Sequence, residues 1–123
     1  PEPVERLWED IRWADAIVIS TPEYNKLPSD VLKNALDWTS RPRPMPTVGK
    51  PLAVVSASAG IAGGQRSKSA LYLGLIPFGV RFVFEPEVNL GQSSTKFDEA
   101  GRLTDATAEK LLGRLMEALR AAV

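Results

Sequence analysis

Two short runs, Ala16-Ile17-Val18-Ile19 and Leu52-Ala53-Val54-Val55, are wholly apolar and rich in β-branched residues. Runs of this kind read as strands buried on both faces, and a sheet buried on both faces needs a covering layer on each side. The segments between them have helical periodicity. Val4, Leu7, Trp8 and Ile11 recur at the spacing of one helical face, and Pro3 suits a first helical turn. A second helix is predicted from about Ser29, with Val31, Leu32, Ala35 and Leu36 inward and Lys33, Asn34 and Asp37 outward. The proline-rich stretch Arg41 to Pro46 stops it. A third helix spans about Gln65 to Leu75. A last one starts with Thr104 or Asp105 as N-cap and carries Leu111, Leu112, Leu115, Met116 and Leu119 as its inner stripe. Val80 to Phe84 reads as a third strand, and Glu85 to Arg102 as polar, turn-rich chain.

Helices alternating with short apolar strands predict an α/β fold with a parallel sheet, because each crossover has to pass over the sheet. About three strands and four helices are legible. Such sheets usually have about five strands. The chain also opens on a helix with no Met, so an N-terminal strand–helix–strand ahead of Pro1 is expected to be missing from it. The 123 residues suffice for a single domain, residues 1–123.

Composition narrows the chemistry. Fifteen basic residues balance fifteen acidic ones with no basic block, so no nucleic-acid partner is expected. There is no Cys and no His, which excludes thiolate zinc sites, disulfides, cysteine nucleophiles and serine–histidine relays. No metal ligand set is assigned. Carboxylates, hydroxyls, amides or a bound cofactor must carry any catalysis. No apolar run approaches the roughly 20 residues that span a bilayer, and Pro1-Glu2-Pro3 is unlike a secretory leader. The expectation is a cytoplasmic protein without a membrane partner.

In open parallel sheets, ligands bind beyond the carboxyl ends of the strands. The loop after the first strand offers Thr21-Pro22-Glu23-Tyr24-Asn25, which combines a rigid proline, an aromatic face, a carboxylate and an amide. The loop after the second offers Ser58-Ala59-Gly60-Ile61-Ala62-Gly63-Gly64, whose glycines let backbone N–H groups approach a flat ligand. One reading is a slot for a planar heteroaromatic ring. The other is a pair of tight connections with no ligand. Gly60, Gly63 and Gly64 are wrongly spaced for the dinucleotide and phosphate-loop fingerprints.

Several blocks together, however, resemble a known family. They are Ala14-Asp15-Ala16 before the first strand, Thr21-Pro22-Glu23-Tyr24-Asn25 after it, and Leu32-Lys33-Asn34-Ala35-Leu36-Asp37-Trp38 in the second helix. Gly49-Lys50-Pro51, Gly60-x-x-Gly63-Gly64 and Phe97-Asp98-Glu99-Ala100-Gly101-Arg102-Leu103-Thr104 follow. The chain, from about Val4 to its end, is similar to the NADPH-dependent FMN reductases, a group that includes quinone, azo-dye and chromate reductases.

The resemblance implies a flavodoxin-like three-layer sandwich and an FMN-dependent NAD(P)H oxidoreductase. FMN and NADPH or NADH are the implied cofactors. The implied substrate is a small-molecule electron acceptor, quinone-like, azo or metal-oxyanion, reduced by ping-pong hydride transfer. Pro22, Glu23, Tyr24 and Asn25 would line the flavin ring, with Ser58, Gly60, Gly63 and Gly64 along its other side. No catalytic side chain is assigned, since hydride transfer between stacked rings requires no protein acid or base. A homodimer or homotetramer is implied, with Arg66 and Glu87 as subunit contacts, although solvated surface charge explains those two residues equally well. Two departures stand out. The family's Ser/Thr-Arg-Ser-Asn phosphate loop has no counterpart, and Lys26-Leu27-Pro28-Ser29-Asp30 replaces the usual residues after Asn25. The alternative is a flavodoxin-like interaction module, or a one-electron carrier, without NADPH turnover.

Overall fold

The computed structural model describes residues 1–123. The element order is α1 (Glu2–Trp13), β1 (Ile17–Thr21), α2 (Asp30–Thr39), β2 (Pro51–Ala57), α3 (Gln65–Leu75), β3 (Arg81–Phe82), β4 (Asn89–Leu90) and α4 (Ala106–Ala121). Short 3₁₀ turns occupy Ile76–Phe78 and Ser93–Thr95. The sheet is parallel and β2 is its centre. On one side β1 pairs with β2 from Ile17↔Leu52 to Thr21↔Ser56. On the other, β3 pairs through Leu52↔Phe82 and β4 through Ser56↔Asn89. Leu52 to Ser56 is four steps, whereas Phe82 to Asn89 is seven, so the partner strand carries three extra residues in a bulge.

Burial follows from this centrality. Leu52 and Val54 project to one face, where they meet Leu71 and Leu75 of α3 and Phe78, with Ile17, Ile19, Leu32 and Leu36 packed against them. Leu7 and Ile11 of α1 border an apolar cavity of about 170 Å³ on that same face. Ala53 projects to the opposite face and meets Val88 together with Leu115 and Leu119 of α4. Three helices therefore cover one face and α4 alone covers the other, which gives a three-layer α/β arrangement.

β1 departs from the expected burial on both faces. Ile17 and Ile19 face the helical layer, but Val18 is 45% exposed and Ser20 is exposed too, because α4 lies over β2 and Val88 rather than over β1. The predicted third strand shrinks to Arg81–Phe82, and a fourth, Asn89–Leu90, appears inside the stretch read as turn-rich. Val31, expected inward, is 82% exposed. The inner stripe of α2 is Leu32, Ala35, Leu36 and Thr39, and Val31 is turned about 100° from Leu32. Trp13, at the end of α1, is exposed as well. Trp8 keeps a packing role and donates its Nε1–H to the Trp38 carbonyl at 3.0 Å.

Side chains close the starts of α2 and α4, the latter as the sequence suggests. Ser29 Oγ accepts the Leu32 N–H of α2 at 3.3 Å. Asp105 accepts the Ala108 N–H of α4 at 2.9 Å and pairs with Lys96 Nζ at 3.1 Å. The amide bond first and the Lys96 partner second hold the Asp105 carboxyl below its ordinary range. A depressed folded-state pKa adds stability that is complete above the unfolded value and is lost as pH falls through the folded one. Asp105→Ala is therefore expected to lower the melting temperature at neutral pH. In thermal scans the gap to the parent protein should close as pH falls below about 4.

Candidate functional site

β1 ends in a polar knot. Thr21 and Ser67 are both buried, with their hydroxyls 3.3 Å apart, and each donates to the Pro22 carbonyl, at 2.9 and 2.7 Å. Glu23 Oε1 accepts the Ser67 backbone N–H at 3.0 Å. Ser67 is the third residue of α3, where backbone N–H groups lack an intrahelical partner. The N-cap of α3 is Gly64, which offers no side chain, and its first turn has no acidic residue. Glu23 thus supplies from a distant loop the negative cap that α3 lacks. The same bond joins the loop after β1 to the start of α3.

Beyond Glu23 the chain reverses in a two-residue turn. Tyr24 and Leu27 exchange both backbone bonds, at 2.9 and 3.1 Å, with Asn25 at φ 50° and Lys26 at φ 71°. Positive φ at both central residues marks a type I′ turn. Asn tolerates that conformation, whereas Lys26 is strained there by about 1 kcal/mol. Tyr24 stands 62% exposed on this turn. Its N–H is consumed within the turn, while the N–H groups of Glu23 and Asn25 make no hydrogen bond to the protein.

The second loop is fastened to the chain after β4. Ser58 donates its N–H to the Leu90 carbonyl and accepts from Ser93, both at 3.0 Å. Gln92 donates to the Gly60 carbonyl at 2.9 Å, and Ser56 Oγ donates to the Gly63 carbonyl at 2.7 Å. The three glycines differ in role. Gly63 is buried at φ +63°, and a Cβ on it would stand 2.7 Å from the Asn89 backbone. Gly64, also buried, has φ +85° and a Cβ there would stand 2.9 Å from Ser56 Cβ. The fold itself requires both. Gly60 is exposed, and a Cβ on it would meet nothing nearer than Ser58 Oγ at 3.9 Å. The N–H groups of Ala59, Gly60, Ile61 and Ala62 make no hydrogen bond to the protein. Ile61 is 87% exposed beside them.

Of the residues singled out from sequence, Tyr24, Asn25 and Gly60 are at the surface. Pro22, Glu23 and Ser58 are half-buried, and Gly63 and Gly64 are interior. Glu23 ties the first loop to the first turn of α3, three residues past the end of the second, and no cavity is lined by both loops, so they border an open rim and not an enclosed slot. Ser67 and Asn89–Ser93, which brace the two loops, were not among the expected residues, and Thr21 was expected only as the start of the first loop. The absence of any acid in the first turn of α3 was the available clue to Ser67.

A parallel sheet between helical layers, with such a rim beyond its central strands, defines a flavodoxin-like α/β protein. A family model for NADPH-dependent FMN reductase matches residues 1–95. An NAD(P)H-dependent FMN reductase of Pseudomonas aeruginosa is 43% identical over 120 residues, covering 98% of this chain and 65% of the relative. A quinone reductase of Escherichia coli is 39% identical over 117 residues, covering 94% of this chain and 62% of the relative. The solved structure of FerB, a flavoenzyme NAD(P)H:(acceptor) oxidoreductase from Paracoccus denitrificans, matches with a TM-score of 0.84 at 33% identity, over 99% of this chain and 68% of that one. The chain belongs to the NADPH-dependent FMN reductase family. It spans a little under two thirds of the curated relatives' length.

The glycine assignments have a direct test. Gly63→Ala is expected to destabilise the protein by about 2 kcal/mol or more, through positive φ and backbone collision together. Gly60→Ala is expected to leave the urea midpoint within error of the parent protein.

Proposed function

We propose that this protein is an FMN-dependent NAD(P)H oxidoreductase that reduces quinone-like acceptors at the rim between the Tyr24 and Gly60 loops. The observation that carries the reading is the pair of unsatisfied backbone donor sets, Glu23 and Asn25 on one loop and Ala59 to Ala62 on the other, with Glu23 bonded to the first turn of the helix that the second loop enters. A flavin ring presents ring nitrogens and carbonyl oxygens along one edge, and outward N–H groups are the donors that fit them. Gly60 supports the same reading, because the fold leaves open space where a side chain would stand and a flat ring needs that space. Kinship with FMN and quinone reductases agrees with it.

In this reading the Glu23 and Asn25 N–H groups stabilise negative charge on the ring's polar edge, an electrostatic role for backbone amides. Tyr24 and Ile61, both exposed, cover its apolar part and exclude water from it. Pro22 and Ser58 fix the two loops. Glu23 orients its loop through Ser67, and Gly63 and Gly64 set the path of the other. FMN supplies hydride acceptance and release. An open rim serves nicotinamide and acceptor in turn, which makes ping-pong kinetics the expected pattern, with azo compounds and metal oxyanions as further acceptors. Lys26, exposed at the tip of the turn, places a positive charge beside that opening.

Phosphate binding has to come from elsewhere, since Glu23 already occupies the N-terminus of α3. The unpaired edge of β1 and the exposed Val18 support a further strand and helix on that side, completing one flavodoxin-like domain and carrying the phosphate loop. No helix is long and apolar enough to cross a membrane. The exposed Leu27, Val31, Leu73 and Ile76 support self-association as a dimer or tetramer.

Titrating FMN into the full-length protein is expected to shift the flavin absorbance bands and quench its fluorescence. Gly60→Val should weaken binding at least tenfold with the melting temperature unchanged. An unperturbed flavin spectrum contradicts the proposal. A protein that binds FMN but oxidises no NADPH in the presence of quinone supports a one-electron carrier instead.

A further inference from the structure

Positive φ is distributed unevenly along the chain. Gly49, Gly63, Gly64, Gly79 and Gly101 adopt it without steric cost, and the residues with side chains that do so are Asn25, Lys26 and Gln92. All three lie at the rim. Asn25 and Lys26 form the tip of the turn after β1, and Gln92 donates its N–H to the Gly60 carbonyl of the other loop. Strained backbone of this kind gathers at functional sites. Asn takes the left-handed region readily, and Gln92 closes the glycine loop through its backbone. Lys26 has neither account. Its N–H and C=O bond to no protein group, and Gly is the residue preferred at the second central position of a type I′ turn.

Its ammonium group is free as well. Lys33, Lys68 and Lys96 are the lysines in ion pairs, and Lys50 donates to the Arg12 and Ala14 carbonyls at the end of α1. Lys26 has no such partner. The carboxylates nearest to it in the chain are engaged at helix starts. Glu23 caps α3 through the Ser67 N–H, and Asp30 sits in the first turn of α2, where the helix dipole offsets its charge. Ser58 to Gly64 carries no charged side chain, and Arg66, exposed in the first turn of α3, adds a second positive charge. Together with the unsatisfied N–H groups of both loops, these residues give the rim a positive potential.

We propose that Lys26 is a specificity-determining residue whose ammonium group meets a negatively charged group on the molecule that approaches the bound flavin. That group is either the phosphate that distinguishes NADPH from NADH or an acidic group on the electron acceptor. The inference rests on the function proposed above and adds selection by charge to it. Glycine at this position relaxes the turn and loses the selection, which is the reason for a lysine in a strained conformation.

The test uses the full-length protein with FMN bound, as the parent, Lys26→Gly, Lys26→Arg and Lys110→Ala, the last removing an exposed lysine from α4. The kcat/KM values are to be measured for NADPH and NADH, and for naphthoquinone and its sulfonate, with FMN affinity and melting temperature alongside. Lys26→Gly is expected to keep or raise the melting temperature. It should lower the NADPH to NADH ratio, or the sulfonated to neutral quinone ratio, about fivefold at low salt, the scale of one exposed charge at close range. The ratio that falls identifies the source of the negative group. Lys26→Arg should restore it, and high salt should shrink the difference. Both ratios at parent values overturn the proposal. So does an equal fall in Lys110→Ala, which marks net charge alone, and so does a lower melting temperature in Lys26→Gly, which marks a structural residue. A parent protein that binds no FMN defeats the proposed function and this inference with it. Flavin binding and NADPH oxidation with unchanged ratios defeat this inference alone.

Discussion

The hydrogen bond from the Ser67 backbone to the Glu23 carboxylate is the contact on which the candidate site depends. It joins two segments far apart in the chain, the loop that leaves β1 and the first turn of α3. A helix start without its own capping side chain needs a negative group, and the loop needs a fixed direction as it leaves the strand. One carboxylate meets both needs. The surrounding knot of Thr21, Ser67 and the Pro22 carbonyl is buried, which makes the geometry stiff where it has to be.

The rest of the architecture delivers these two segments to one place. β2, buried on both faces, sets the parallel register of β1 on one side and β4 on the other. Both crossovers therefore emerge at the same end of the sheet, the end where ligands of open parallel sheets bind. The glycine loop adds close packing that Gly63 permits against the Asn89 backbone, Gly64 against the Ser56 side chain and Gly91 against the Ile61 carbonyl. Amides left without protein partners then collect along both loops. The rim is thus a consequence of satisfying the interior, with the unsatisfied donors collected at the surface.

Much of this was legible in the sequence, and the exceptions have physical reasons. The helix from Gln65 to Leu75, the start of the second helix near Ser29 and an N-cap at Thr104 or Asp105 rest on local spacing and agree with the structure, in which Asp105 is that cap. Val18 and Val31 misled because apolar character alone does not say which face is covered. Their exposure depends on α4 lying elsewhere and on a one-position offset along α2. Asn89–Leu90 was invisible because two residues carry no periodicity and the pairing is imposed by β2. At the candidate site, the two loops stand out in the sequence by composition and family resemblance. The capping role of Glu23 does not, since its partner is 44 residues away. Nor does a sequence distinguish Gly60, which the fold leaves free, from Gly63 and Gly64, which it requires.

The most direct measurement is a nitrogen-15 amide correlation spectrum of the full-length protein recorded while FMN is added. If the two loops form one flavin rim, the resonances of Glu23, Asn25, Gly60 and Ile61 shift together along a single binding curve, and those of α4 stay in place. Shifts confined to one loop, or found away from both, contradict it.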